Sequence, residues 1–411
     1  GQPRVTNKIQ SIMRAFAHRT DGAIAIITAF SILVMIGAAA LAVDFGHAHS
    51  ARSHLQSAVD ASALAAANLL DAKKSERKKL GEAIFEANYE QHKSVKLKIE
   101  IIDDSLVRVT AERTLPTFLM PVMGKEDVDV HATADVPILN SGYAEVVLVL
   151  DYSDSMINSN KYIRMSEAAQ KMIDVVSNNG KNTNVRFGLV PFSAVVRADI
   201  PSAYIRSDVT FDGCTMDRQF PFNQQEGVTT GSDAAKWGDH SVGGHDCSVV
   251  AAANLKVLPL TNSLSNVKST LASFQPHKWT HIAAGVEFGW QVISPDGVFS
   301  GARPYSDKKN VKAVVILTDG MQTAPGWGPS ENRTVADAEE NLREICDGMK
   351  DRKIEVFTVG YDLTHAHTLD LLESCANDDQ HFASTDIEKG AKQMLTTIAN
   401  RIQEKMIRLA N

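Results

Sequence analysis

The stretch EVVLVLDYSDS (145–155) decides the fold. Its apolar part, VVLVL (146–150), is too short for a helix, and its lack of alternation marks a strand buried on both faces, as in a parallel sheet. Working outward, the same kind of strand recurs in VRFGLVPF (185–192), VKAVVIL (311–317) and IEVFTVG (354–360). Between and after these strands, apolar residues at helical spacing predict helices around 161–177, 282–293, 335–350 and 387–407. This alternation predicts an α/β class fold over residues 143–405, with a doubly wound, mainly parallel, Rossmann-like sheet. Its ligand site belongs at the carboxyl ends of the strands. Residues 200–275, rich in Gly, Asp, Asn and Ser, read as an elaboration carrying short elements.

At such an edge, the residues after VVLVL carry chemistry. Asp151, Ser153 and Ser155 form D-x-S-x-S, one carboxylate and two hydroxyls that can converge on a hard cation. A second acid, Asp319, follows another buried strand in LTDG (317–320), and Thr280 opens THIAAGVEFGW (280–290). At these residues the chain resembles the von Willebrand factor A (VWA) family and its metal-ion-dependent adhesion site (MIDAS). The resemblance implies that Asp151, Ser153, Ser155, Thr280 and Asp319 hold a divalent metal, usually Mg²⁺, with Mn²⁺ or Ca²⁺ as other candidates. It implies direct coordination by the three hydroxyls, with the aspartates acting largely through water. A protein partner would donate a carboxylate to the open position. Asp154 departs from the family pattern, where a small neutral residue is common, and is expected to point to solvent.

The stretch AIAIITAFSILVMIGAAALAV (23–43) contains no charged residue and as a helix would span about 31 Å, the thickness of a bilayer core. Ala40-Leu41-Ala42 resembles a signal-peptide cleavage site, but the run exceeds the usual ~7–15-residue signal core and favours a retained anchor. Residues 1–22 carry Arg4, Lys8, Arg14 and Arg19 and no acid before Asp21. That asymmetry predicts a single pass through a bacterial inner membrane, with the N-terminus cytoplasmic and the bulk periplasmic. Removing those four of 42 basic residues leaves 38 against 49 acidic, and so acidic a body excludes nucleic acid as the main partner.

Residues 44–140 read as a stalk and a small α+β unit. Leu55, Val59, Ala63, Ala66 and Leu70 recur at helical spacing in a helix expected to run, with a break near 73–75, to about Gln91. The stretches 95–102, 106–112 and 127–139 alternate as strands, and 140–142 is a turn-rich boundary. The leader ending in Asp21-Gly22, the span, AVDFGHAHSARSHLQSAVDASALAAA (42–67) and LPTFLMPVMG (115–124) resemble the TadG-like proteins of tight-adherence (Flp/Tad) pilus systems. The resemblance implies pilus-assembly components as partners, in assembly or surface adhesion, at the inner membrane, the cell surface or the pilus. It also implies a pilin-like anchor with prepilin-type processing near Gly22. Ile27 stands where a true pilin carries its acid five residues into the mature chain. The alternative role is a minor pilin-like subunit with a purely structural metal.

Four cysteines lie on the exported side, where disulfides persist. Three pairings are possible, and Cys214–Cys247 with Cys346–Cys375 is preferred because each pair brackets one local segment. His47, His49 and His54 do not share one helical face and read as a solvated juxtamembrane segment rather than a zinc site. His365 and His367 are expected in a surface loop. Trp237, Trp279, Trp290 and Trp327 are expected as core or rim packing near the upper edge of the sheet. The sequence has no G-x-x-x-x-G-K-[ST], G-x-S-x-G or H-E-x-x-H, and Ser153 stands where a phosphoaspartyl enzyme has its second acid. No catalysis is expected.

Overall fold

A computed structural model describes residues 21–118, 121, 124, 126–139, 142–240, 246–386 and 390–410. The basic leader, part of the boundary at 140–142 and the expected start of the last helix at 387 lie outside them. The chain divides into two compact units, Gly1–Ile138 and Leu139–Asn411.

In the first unit, α1 (Asp21–Asn68) contains, from Ile26 on, an exposed apolar stretch long enough, by length and composition, to cross a membrane. Beyond it Leu55, Val59, Ala63 and Ala66 are buried. The helix ends at Asn68, earlier than expected, and Asp71 turns the chain in a left-handed conformation (φ 55°). The following helix α2 (Lys74–Asn88) doubles back instead of prolonging a stalk. The Ser62 hydroxyl donates to the Gly81 carbonyl (2.7 Å), and Arg77 donates to the Ala66 and Ala67 carbonyls (2.9 Å each). Arg77 thereby satisfies carbonyls that the end of α1 leaves without intrahelical partners. Strands β1 (Lys96–Ile102), β2 (Leu106–Pro116) and β3 (Asp127–Pro137) form an antiparallel sheet in that order. Val107, Val109, Ala111, Val130 and Ala132 alternate onto its buried face, in one core with the α1 residues.

The second unit holds β4 (Tyr143–Asp151), α3 (Lys161–Val176), β5 (Val185–Phe192), β6 (Leu258–Thr261), α4 (Leu264–Ser273) and α5 (Ile282–Ile293). It continues with β7 (Asn310–Thr318), α6 (Val335–Asp351), β8 (Glu355–Tyr361), α7 (Ala366–Cys375), β9 (Phe382–Thr385) and α8 (Gly390–Ala410). The sheet order is β9-β8-β7-β4-β5-β6, parallel except for β6, which pairs antiparallel with β5. Helices cover both faces. Val146, Leu148 and Leu150 of β4 pack with Met165 and Met172 of α3 and Leu395 of α8, while Val147 and Val149 pack with Val286 of α5 and Leu342 of α6. Gly285 and Gly289 bring α5 close to the sheet, since a Cβ on them would sit 2.6 Å from the Phe192 ring and from Val149 Cγ2.

The structure corrects several expectations. Strand β6 and helix α4 belong to the sheet and its covering layer, so the elaboration is shorter than 200–275; a four-residue edge strand is too short to show a periodicity. Strand β9 was hidden for the same reason. His365 lies in the loop as expected and caps α7, but His367 is within that helix, its Nε2 2.7 Å from Glu339 of α6. Of the tryptophans expected as core or rim packing, Trp290, against Gly348 of α6, and Trp237, beside Phe288, are core. The described cysteines pair as Cys214–Cys247 and Cys346–Cys375.

Candidate metal centre

Strands β4 and β7 are neighbours, but the chain proceeds from β4 to β5 on one side and from β7 to β8 on the other. The loops that leave their carboxyl ends diverge and open a crevice, the usual ligand position in such sheets. Asp151 closes β4 and Asp319 follows the last residue of β7. The Ser153 N–H donates to Asp151 Oδ1 (2.8 Å), a side-chain turn that folds the loop back over the strand end. The Ser153 and Ser155 hydroxyls then lie 2.9 Å apart, and Ser155 donates to Asp319 Oδ1 (2.5 Å).

Thr280 arrives from the segment before α5. A Cβ on Gly320 would lie 3.2 Å from Thr280 Oγ1, 3.5 Å from Ser155 Oγ and 3.8 Å from Asp151 Oδ2, so oxygens from two other loops face the space that glycine leaves beside Asp319. All five residues expected from the sequence are thus brought together. Thr280 is held by its backbone: its N–H donates to Thr323 Oγ1 (3.0 Å), and its carbonyl accepts from the N–H groups of Thr323 (2.9 Å) and Ala324 (3.1 Å).

Three further residues belong to the arrangement. Thr318 donates its hydroxyl to Asp151 Oδ2 (2.6 Å). Lys161, at the start of α3, buries its side chain and pairs its ammonium with Asp319, with Asp362 Oδ2 at 3.4 Å on its other side. Nothing in the local spacing announces Lys161, because its partners lie more than 150 residues away. Asp154 is exposed as expected but is not simply solvated. Its Oδ1 accepts the Lys278 N–H (2.7 Å) and its own N–H donates to the Lys278 carbonyl (2.8 Å), tying the first loop to the loop that carries Thr280.

Burial, reinforced by the neighbouring charge of Asp319, pushes the Asp151 carboxyl up to about 7 against the hydrogen bonds from Thr318 and Ser153. One ammonium serves two carboxylates, so the centre lacks positive charge. The donor set fits a hard divalent cation: every group is an oxygen, and the 2.9 Å between the serine hydroxyls matches adjacent ligands around an ion with bonds of ~2.1 Å. Ser153, Ser155, Thr280 and Thr323 open onto a cleft of about 350 Å³ completed by Lys278 and the half-exposed Trp279. Another grouping of potential ligands among the described residues, Asp212 with Cys214 and Cys247, has both sulfurs tied in a disulfide.

Residues 22–69 match the Tad family model, Flp pilus-assembly TadE/G-like. The Tad match therefore covers α1 and not the sheet unit. No curated protein sequence matches the chain. Among solved structures the chain is similar to the pilus adhesin SpaC from Lactobacillus rhamnosus GG, at 12% identity and TM-score 0.39, covering 76% of this chain and 33% of that one. It is also similar to the vWF domain of the type V pili tip protein Mfa5 from Porphyromonas gingivalis, at 12% identity and TM-score 0.41, covering 65% of this chain and 97% of that domain. A third is proximal thread matrix protein 1 from the mussel byssus, with a zinc-occupied MIDAS motif, at 13% identity and TM-score 0.33, covering 64% and 46% of the two chains. The chain thus spans about a third of SpaC and nearly all of the Mfa5 domain.

Proposed function

We propose that this chain is a membrane-anchored, VWA-type binding protein without catalytic activity, acting in tight-adherence pilus assembly or surface attachment. The observation that carries the reading is the convergence of Asp151, Ser153, Ser155, Thr280 and Asp319 at the mouth of one crevice, around the gap left by Gly320. Those five residues would hold a divalent cation, Mg²⁺ being the first candidate. The bound cation would supply a site for a carboxylate of a protein partner. The chain's own residues do the rest: Asp154 fixes the two loops relative to each other, Thr318 orients Asp151, and Lys278 and Trp279 line the approach. The Tad match of α1 supports the pilus setting, and the apolar length of α1 supports anchorage in a membrane.

Solubilised membranes passed over the tagged chain are expected to yield a partner in Mg²⁺ that EDTA releases and that Asp151→Ala never captures. Capture indifferent to both EDTA and the mutation would refute a metal-borne contact. The Tad match also favours a second reading, a pilin-like subunit of the filament itself. Shearing separates the two: an assembly factor stays with the membranes, whereas a subunit is released with the pili.

A further inference from the structure

We infer that Phe118, two residues past the end of β2, is a second membrane contact, lying in the lipid interface beside the end of the α1 span. The inference rests on the reading of α1 as a membrane helix and adds a surface that this reading does not require.

The geometry lies within the first unit. Gln56 of α1 donates to the Thr133 carbonyl of β3 (3.0 Å), while Asp44, just past the apolar span, accepts the Phe118 N–H on its Oδ1 (2.9 Å). From Gln56 back to Asp44 the helix rises about 18 Å. From Thr133 back to Asp127 the strand covers about 20 Å. The two elements therefore run alongside each other, and the end of the β2–β3 ribbon next to Phe118 lies beside the last residues of the span. Val128 shares an apolar cleft with Leu41, Ala42, Phe45 and Ala48, so the start of β3 already stands level with the last residues of the span.

The Thr117 N–H donates to the Glu126 carbonyl (2.9 Å), which keeps the two strands together up to the residue before Phe118. LPTFLMPVMG (115–124) contains no charged residue, and Lys125 follows it. Phe118 is 66% exposed, with its ring edge-on to His47 (5.5 Å), and Phe45 on the neighbouring face of α1 is 75% exposed. Scattered exposed apolar residues need no explanation, but these continue the bare surface of the span without a break. Aromatic side chains at the headgroup level are what an interfacial contact requires. The buried Asp44 carboxylate then has a role: it fastens the Phe118 backbone to the helix at the membrane surface.

The test places single cysteines in the full chain, whose four native cysteines are all disulfide-bonded, and couples them to an environment-sensitive fluorophore. The chain is reconstituted in phosphatidylethanolamine–phosphatidylglycerol vesicles containing lipids spin-labelled at shallow or deep positions. Phe118→Cys is expected to give blue-shifted emission quenched by the shallow label, at a depth of ~5–10 Å. Ile32→Cys should be quenched by the deep label, and Ser105→Cys, at the opposite β1–β2 turn, by neither. A Phe118→Cys signal matching Ser105→Cys while Ile32→Cys is quenched would overturn the interfacial contact and leave the span intact. Absence of quenching at Ile32→Cys would remove both. Quenching at all three positions would also overturn the assignment, because it would show no preference for Phe118.

Discussion

At the scale of single residues, the centre is a charge problem solved with one ammonium. Lys161 occupies Asp319 from below, so any cation entering from the cleft competes with it for that carboxylate. Replacing it with methionine is expected to tighten Mg²⁺ binding by roughly tenfold, or ~1.4 kcal/mol, and to lower the melting temperature without metal. Isothermal titration and thermal melts in EDTA read the two effects, and weaker binding in Lys161→Met would refute the competition. Gly320→Ala is expected to weaken Mg²⁺ binding in the same titration, because its methyl would press on Thr280 Oγ1 at 3.2 Å. Away from the centre, His381 is held between Glu355 Oε2 (2.9 Å) and Asp378 Oδ1 (2.6 Å), and the bond to Glu355, more than that to Asp378, raises its pKa. A cationic group raised above its unfolded value of ~6.5 stabilises the fold fully below that pH and loses the contribution as pH climbs through the folded value. Melting temperatures should therefore fall more between pH 6 and about 8.5 in the native chain than in His381→Gln.

At the scale of elements, what could be read depended on how a segment is buried. VVLVL, VKAVVIL and the helix 282–293 are covered on all sides, so composition alone revealed them. The short edge strands β6 and β9 are half-exposed and carry no comparable signal. Likewise the break between α1 and α2 was expected near 73–75 but falls at Asp71, and the reversal of the chain there was not legible, because the turn interrupts an Ala-rich stretch without Gly or Pro. Asp151, Ser153, Ser155 and Asp319 were legible because they follow buried strands, and Thr280 because it precedes a helix, whereas Lys161 and the Asp154–Lys278 clasp depend on tertiary approach. The tight packing of α5 gives an element-scale prediction. Gly285→Ala drives a methyl into the Phe192 ring and should cost about 1–3 kcal/mol in denaturant unfolding. A cost below ~0.5 kcal/mol would show that the helix is free to shift.

For the whole molecule, the two units carry different features. The Tad-matching helix and its small sheet form one unit, and the cation-type crevice sits at the strand ends of the other. Partner binding is thus expected to depend on metal while membrane attachment does not, which carbonate extraction with and without EDTA would show. Beneath all of this lies the claim that oxygens from three loops hold one divalent ion. Calorimetric titration of Mg²⁺ into the detergent-solubilised chain tests it most directly: one ion per chain is expected for the native protein and none for Asp151→Ala, with identical circular dichroism. Equal Mg²⁺ affinity in the two proteins, or no binding by the native one, would contradict the account.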